Sequence, residues 1–437
     1  MKRCHHLCQL LSEQSPEATS LVFFAQGNKI HWSYKDLLKN IEDFPLPKAR
    51  CVGIFASTTV KAIVSIFALA GKRRIVLLDP DSELSTLVAQ IQKTHIGALL
   101  GDDELAAELH EYLDADTKCS DVDILFFTSG TTSKAKAVML SEESLCAAAY
   151  NGGSLLPLRP EDTLLSVLPY SHVFGFVCAL LWPLSFGCAV CLGRGMRSIF
   201  FDFGEYHPTV ASLVPQMAGF LAAKKLFNPE LRLILIGAGT CDSAVLNLIR
   251  SQGIQVSFGY GLTETSSGVA LSLGDDPYAM SVCPDYQIEI AADGEIILHG
   301  GPTFMKGYYN DSESTANVLR DGALYTGDLG RVENGLLYIT GRKKEILVFN
   351  DGTKLFLPEF EGDLRKILGQ DADFAVLQGK DGSIILYIHK PTGIEEQIEK
   401  FNLAYPRSHR VAKIIYAPSP LPRTKTGKVQ RYLITTD

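Results

Sequence analysis

A chain of 437 residues is longer than one hydrophobic core normally organises, so two or three domains are expected. Apolar residues at 46% and charged residues at 21% describe an ordinary soluble globular protein. The formal net charge of −8 argues against a nucleic-acid footprint, which needs a basic patch.

Met1-Lys-Arg-Cys-His-His opens the chain without the apolar core and small-residue cleavage site of a secretory signal. Cys4-His5-His6-Leu7-Cys8 has metal-ligand chemistry but no partner cluster, so a structural reading is preferred. An amphipathic helix is expected first, then a hairpin of Leu21–Ala25 and Lys29–Trp32 joined through Gln26-Gly27-Asn28, then a helix from Tyr34. Strands at Cys51–Phe55 and Arg74–Leu78 flank a helical Val60–Ala70. The alternation resumes at Thr163–Leu168, Ala189–Leu192, Leu233–Ile236 and Gln255–Phe258, which argues for a parallel sheet wrapped by helices. The longest apolar stretch, Val177–Leu192, contains Pro183 and Gly187 and falls short of a membrane span. Within it, Cys188-Ala-Val-Cys191 reads as buried strand rather than as a metal or redox site. The ten cysteines are spread singly, which fits a reducing cytoplasm better than a disulfide framework.

From Gln287 the texture changes to short strands and Gly/Asp turns, an antiparallel module. Arg342-Lys-Lys-Glu345 then punctuates the chain. The expected fold is α/β: a large N-terminal domain, residues 1–341, of helix-wrapped sheets plus the antiparallel module, then a small mobile α+β domain, residues 342–437.

Two segments carry the most chemistry. Thr128-Ser129-Gly130-Thr131-Thr132-Ser133-Lys134-Ala135-Lys136 follows the apolar strand Ile124–Phe127. Backbone N–H groups, hydroxyls and an ammonium on one turn make a cradle for phosphate oxygens; the bland alternative is a solvated loop. Near the C-terminus, Pro422-Arg-Thr-Lys-Thr-Gly-Lys428 puts a lysine on a Gly-containing turn, within reach of a phosphate or carboxylate. Between them lies Gly259-Tyr260-Gly261-Leu262-Thr263-Glu264-Thr265, after a strand ending at Phe258. On residues alone two readings stand. Either the aromatic, hydroxyl and carboxylate serve a nucleotide and Mg²⁺, or Thr263 caps a helix with Glu264 in its first turn.

Together these segments resemble the adenylate-forming (AMP-binding) superfamily, which includes acyl-CoA synthetases, carrier-loading adenylation domains and luciferases. The resemblance covers essentially the whole chain. It implies that Thr128–Thr132 and Lys136 hold the leaving phosphates, that Tyr260 stacks on adenine beside Gly259 and Gly261, and that Thr263 meets the α-phosphate. Glu264 then holds Mg²⁺. Asp328, in Tyr325-Thr-Gly-Asp-Leu-Gly330, matches the aspartate that binds both ribose hydroxyls, for which a carboxylate is the natural acceptor. Arg342 matches the arginine assisting at the ribose, and Lys344 the hinge of the small domain. Pro169-Tyr-Ser-His172-Val-Phe-Gly175 resembles the histidine–aromatic motif at the floor of the acyl site, although a lone histidine on an apolar stretch is otherwise a core residue. Gly237-Ala238-Gly239 resembles the segment along the adenine and acyl group, and Lys428 the catalytic lysine. In the family, glycine is usual at 133 and 137 and proline at 135; here Ser133, Ala135 and Ala137 stand instead. Lost glycines stiffen a loop, so slower nucleotide closure is expected.

The resemblance implies a two-step, ATP- and Mg²⁺-dependent ligase. A carboxylate attacks the α-phosphate of ATP, pyrophosphate leaves, and the acyl-adenylate passes its acyl group to a thiol after the small domain rotates. Coenzyme A is the expected thiol, because the chain stops soon after the lysine motif; the phosphopantetheine of an acyl carrier protein is the runner-up. The expected acyl wall, Phe174, Phe176, Val214, Gly239 and Ser266, offers no charged partner for a second carboxylate or an α-amino group, so an amino acid is disfavoured. A fatty or aromatic acid follows, with fatty acid metabolism as a setting. The rival class is a degenerate nucleotide- or acyl-binding protein, motivated by Ser133, Ala135 and Ala137; intact Glu264, Asp328 and Lys428 count against it.

Overall fold

A computed structural model describes residues 3–114, 119, 121–128, 135–195, 198–239, 241–349, 353–369, 371–379, 381–423 and 429–434. Two sheets dominate. The smaller has six strands in the order Gly307–Tyr308, Ala137–Leu140, Ile124–Phe127, Arg74–Leu78, Cys51–Phe55 and Ala98–Leu100. Its central strands pair in parallel, Val52 against Ile75 and Ile75 against Ile124, and are buried along their whole length. Such unbroken apolar runs suit strands covered on both faces.

The larger sheet has fourteen strands. In its parallel half, Thr163–Ser166, Val210–Leu213, Leu233–Ile236 and Gln255–Leu262 run side by side. The last of these changes partner midway. Gln255–Phe258 pair in parallel with Leu233–Ile236, whereas Gly259–Leu262 pair antiparallel with Ser267–Ser272. A Cβ at Gly261 would lie 1.9 Å from the Ser267 carbonyl oxygen, so only glycine permits this approach. Two expectations change here. The strand does not end at Phe258, and the antiparallel part begins at Gly259 rather than near Gln287, continuous with the parallel sheet. The segment for which a helix capped by Thr263 was one of two readings is a strand followed by the single 3₁₀ turn Thr263–Thr265.

Helices Val60–Leu69 and Glu142–Leu155 lie between the sheets. One core cluster joins Ile54, Ile75 and Phe126 of the smaller sheet to Val190 and Leu192 of the larger, through Ile63, Phe67, Leu145 and Phe176. Ser141 starts the second helix, its hydroxyl accepting from the Ser144 N–H at 3.0 Å. The apolar run from Val177 divides into a π-helical stretch Phe174–Leu181, a short helix Trp182–Ser185 with Pro183 in its first turn, and the strand Ala189–Leu192. Among the described residues no helix is long and apolar enough to cross a membrane. Cys188 and Cys191 are buried and free. The N-terminal histidines pair with carboxylates, His5 with Glu143 and His6 with Glu142, and the described residues contain no metal-ligating group of three or more.

The C-terminal part is α+β. Strands Asp373–Gln378, Ile384–Lys390 and Val411–Tyr416 form a sheet with helices Leu357–Leu368 and Glu395–Asn402. Phe360, Leu364, Phe374, Leu386 and Ile398 anchor a separate core cluster, drawn from residues between Leu347 and Ile414.

Candidate active site

The glycine-poor loop lies between strands Ile124–Phe127 and Ala137–Leu140, which pair antiparallel with Phe127 opposite Ala137. The Thr128 N–H donates to the Lys136 carbonyl at 2.9 Å, and the Lys136 N–H to Thr128 Oγ1 at 3.3 Å, so both ends of the loop are fixed. Ser129, Gly130, Thr131, Thr132, Ser133 and Lys134 lie outside the described residues. Ala137 is buried in the ladder, and neither it nor Ala135 has a positive φ. At Ala137, where the family has glycine, alanine therefore costs no backbone strain; Ser133, the other replaced glycine, lies outside the described residues.

Lys136 Nζ stands 4.3 Å from the centre of the Tyr308 ring. The Tyr308 hydroxyl in turn donates to Glu264 Oε1 at 2.7 Å. Burial, and then the nearby Glu264 carboxylate, push the Tyr308 phenol well above its ordinary value, which keeps it a donor. Glu264 is placed by the 3₁₀ turn, and its carbonyl accepts from the Met305 N–H at 2.9 Å. Sequence reasoning missed Tyr308 altogether; a tyrosine beside Gly307 carries no motif of its own.

A second cluster forms where strands Ala323–Glu333 and Leu336–Arg342 pair. Asp328 faces Arg342 in register, and Arg342 Nε donates to Asp328 Oδ1 at 2.6 Å. Tyr260 donates its hydroxyl to Asp328 Oδ2 at 2.9 Å. Burial and then Asp328 hold the Tyr260 phenol well above its usual value. Burial works against the Arg342 charge, and Asp328, with a smaller contribution from Glu264, outweighs it. That contribution ties the two clusters into one electrostatic neighbourhood. The segment Tyr325–Gly330, whose Thr-Gly-Asp composition by itself suggests an ordinary turn, is part of a long bulged strand. Gly327, at φ +70°, makes the irregularity and donates its N–H to Glu295 Oε1 at 2.9 Å.

Gly237, Ala238 and Gly239 leave the C-terminal end of Leu233–Ile236, adjacent to Gly259 through the Ile236–Phe258 pair. A Cβ on Gly237 would come 2.8 Å from the Phe174 ring, and Ala238 has φ +63°. The motif at His172 is thereby brought against this segment: the His172 carbonyl accepts from the Phe176 N–H at 2.9 Å, and the residue is exposed. Thr263 is half-buried and opens the 3₁₀ turn. Two of the five expected wall residues are fully buried. Phe176 is fully buried against Phe126 and Tyr170, and the buried Ser266 hydroxyl donates to the Thr303 carbonyl at 2.8 Å.

Lys344 is exposed in the 3₁₀ turn Lys343–Glu345. Its neighbour Lys343 is clamped by Asp293 and Glu295, each at 2.6 Å. Lys428 lies outside the described residues; the flanking pair Arg423 and Val429 forms a β-bridge, and the Gln430 N–H donates to the Pro422 carbonyl at 2.8 Å.

Two sheets sharing a layer of helices thus carry two neighbouring clusters of acidic, basic and phenolic groups, one at Glu264 and one at Asp328. The sequence pattern of the AMP-binding enzyme family matches residues 46–309, and the chain belongs to that family. It is 25% identical to the 2-succinylbenzoate–CoA ligase of Geobacillus sp. (strain WCH70), over 94% of this chain and 93% of that one. It is 27% identical to the indoleacetate–CoA ligase of Aromatoleum aromaticum, over 70% of this chain and 66% of that one. Its fold matches the O-succinylbenzoate coenzyme A synthetase of Bacillus subtilis in complex with AMP, at a TM-score of 0.83 and 22% identity, covering 99% of this chain and 98% of that one.

Proposed function

We propose that this protein activates an aromatic carboxylic acid with ATP, releasing pyrophosphate, and passes the acyl group from the adenylate to coenzyme A. The convergence of Asp328, Arg342 and Tyr260 with Glu264, Tyr308 and Lys136 carries the reading. One half offers an acceptor for a vicinal diol beside an aromatic ring, the other a cation and a carboxylate for a polyphosphate and its metal. An aromatic acid is preferred to a fatty one because two relatives, at 25% and 27% identity, are named for 2-succinylbenzoate and indoleacetate. The same names favour coenzyme A over a carrier protein.

Asp328 accepts from the ribose hydroxyls, oriented by Arg342 and Tyr260. Lys136 and the hydroxyls of Thr128–Thr132 hold the phosphates that leave, and Thr263 meets the α-phosphate beside His172. Lys428 offsets the charge that builds as the carboxylate attacks phosphorus; the new O–P bond forms as the bond to pyrophosphate breaks. Residues 342–437 then turn about Lys344 to withdraw Lys428 and admit the thiol to the acyl carbon. Glu264 suits Mg²⁺. It is a single half-buried carboxylate with no cluster of further metal ligands among the described residues. That is the donor set of an ion that keeps its waters and shares phosphate oxygens. When bound, Mg²⁺ would offset phosphate charge.

The test is pyrophosphate release from Mg-ATP across a panel of aromatic, fatty and amino acids, each with and without coenzyme A. Release stimulated by aryl acids, with coenzyme A consumed in step, is expected in a cytoplasmic enzyme of this kind. Release without coenzyme A consumption would transfer the second step to a carrier protein. Binding of ATP without release under any acid would leave a nucleotide-binding protein.

A further inference from the structure

We propose that Tyr308 is a positioning residue that holds the Lys136 ammonium and the Glu264 carboxylate apart, so that each stays available to one part of Mg-ATP. The inference rests on the function proposed above. Lys136 and Glu264 carry opposite charge and both contact Tyr308, and two such groups in reach of each other tend to pair and neutralise. One ring meets both. Its face takes the ammonium at 4.3 Å, and its hydroxyl takes one carboxylate oxygen at 2.7 Å. Both contacts are satisfied without joining the charges, and among the described residues no hydrogen bond or ion pair engages the second carboxylate oxygen, which suits a cation.

The backbone explains why this ring is rigid. Gly307–Tyr308 is the edge strand of the six-stranded sheet, pairing antiparallel with Ala137–Leu140, so Tyr308 lies opposite Val138, two residues beyond Lys136. The Tyr308 N–H donates to Thr315 Oγ1 at 2.9 Å, and the side chain is buried. The Met305 N–H holds the Glu264 carbonyl from the same segment. One short stretch, Met305–Tyr308, therefore fixes the main chain of one charge and the side chains of both. A ring that is rigid and buried transmits its position, whereas a flexible lysine alone would not hold one.

Calorimetric titration of ATP into the full chain, with and without Mg²⁺, separates the two contacts. Tyr308→Phe keeps the ring and removes the hydroxyl. It should leave Mg²⁺-free ATP binding unchanged and weaken the Mg²⁺-dependent gain about tenfold, as loss of a group that orients a metal ligand does. Tyr308→Leu removes the ring as well and should further weaken Mg²⁺-free binding about fivefold. In a Glu264→Gln background, Tyr308→Phe should add no further loss, because its effect runs through that carboxylate. A general packing defect would instead lower both binding modes together. An unchanged Mg²⁺ dependence in Tyr308→Phe, or a fully additive loss with Glu264→Gln, would overturn the proposal, while acid-stimulated pyrophosphate release by the wild-type protein upholds the function independently. Failure of the wild-type protein to bind Mg-ATP would overturn both.

Discussion

Asp328 and Arg342 sit directly opposite each other across an antiparallel ladder, joined by a 2.6 Å hydrogen bond. Register, and not proximity in sequence, delivers the guanidinium to one carboxylate oxygen, while Tyr260 reaches the other from the antiparallel end of strand Gln255–Leu262. The carboxylate is thus oriented by two donors before any ligand arrives. Replacing it should remove the diol acceptor and leave Arg342 without its partner. Asp328→Ala is expected to weaken ATP binding about 10- to 100-fold, the cost of losing a charge-assisted hydrogen bond, with little effect on affinity for free pyrophosphate. Fluorescence or calorimetric titration of the two ligands checks this; equal loss for both would mean that the variant damages the cleft as a whole.

Lys428 should act in the first half-reaction. Lys428→Ala is expected to slow adenylate formation by about 10²- to 10³-fold, as removal of one charge-stabilising donor does. Thioester formation from a preformed acyl-adenylate should be nearly unaffected. Stopped assays of the two half-reactions separate them, and the opposite pattern would reassign the lysine.

Ala137 bears on the departures in the phosphate loop. Because it is buried in a paired strand, restoring the family's glycine there should not accelerate turnover. Ala137→Gly should instead destabilise the fold by about 0.5–1 kcal/mol through added freedom of the unfolded chain. Urea denaturation read beside the pyrophosphate-release rate would show it; a faster, equally stable variant would restore the idea that lost glycine limits closure.

Acid stability should depend on a pair far from the cleft. The Asp162 side chain is 3% exposed and accepts from Arg232 Nε at 2.8 Å, the Arg159 N–H at 2.7 Å and Thr209 Oγ1 at 2.8 Å. Burial alone would raise its pKa, and these donors, Arg232 first, outweigh it and bring the group below its ordinary value. The unfolded chain, with Asp near 3.9, then binds the proton more readily. The stabilisation is present in full above that value and is lost as pH falls through the lower folded value. Asp162→Asn should cost about 3 kcal/mol at neutral pH and flatten the acid limb of the stability curve. Thermal melts between pH 3 and pH 7 measure both.

Much of this protein was legible in its residues because the relevant signals are local. Short unbroken apolar runs such as Cys51–Phe55 and Leu233–Ile236, alternating with helical segments, read as strands covered on both faces, and the hydroxyl-, lysine- and carboxylate-bearing segments carry their chemistry in their own composition. What tertiary structure decided depends on contacts between distant positions. Strand Gln255–Leu262 changes partner at Gly259 because Gly261 lets Ser267 approach, a fact of two chain segments and not of one. Asp328 meets Arg342 through strand register, and a one-residue slip would turn either side chain to the other face. Tyr308, 44 positions from Glu264, has no periodicity or motif to announce it; only the pairing of its strand beside Lys136 gives its ring and hydroxyl two charges to hold.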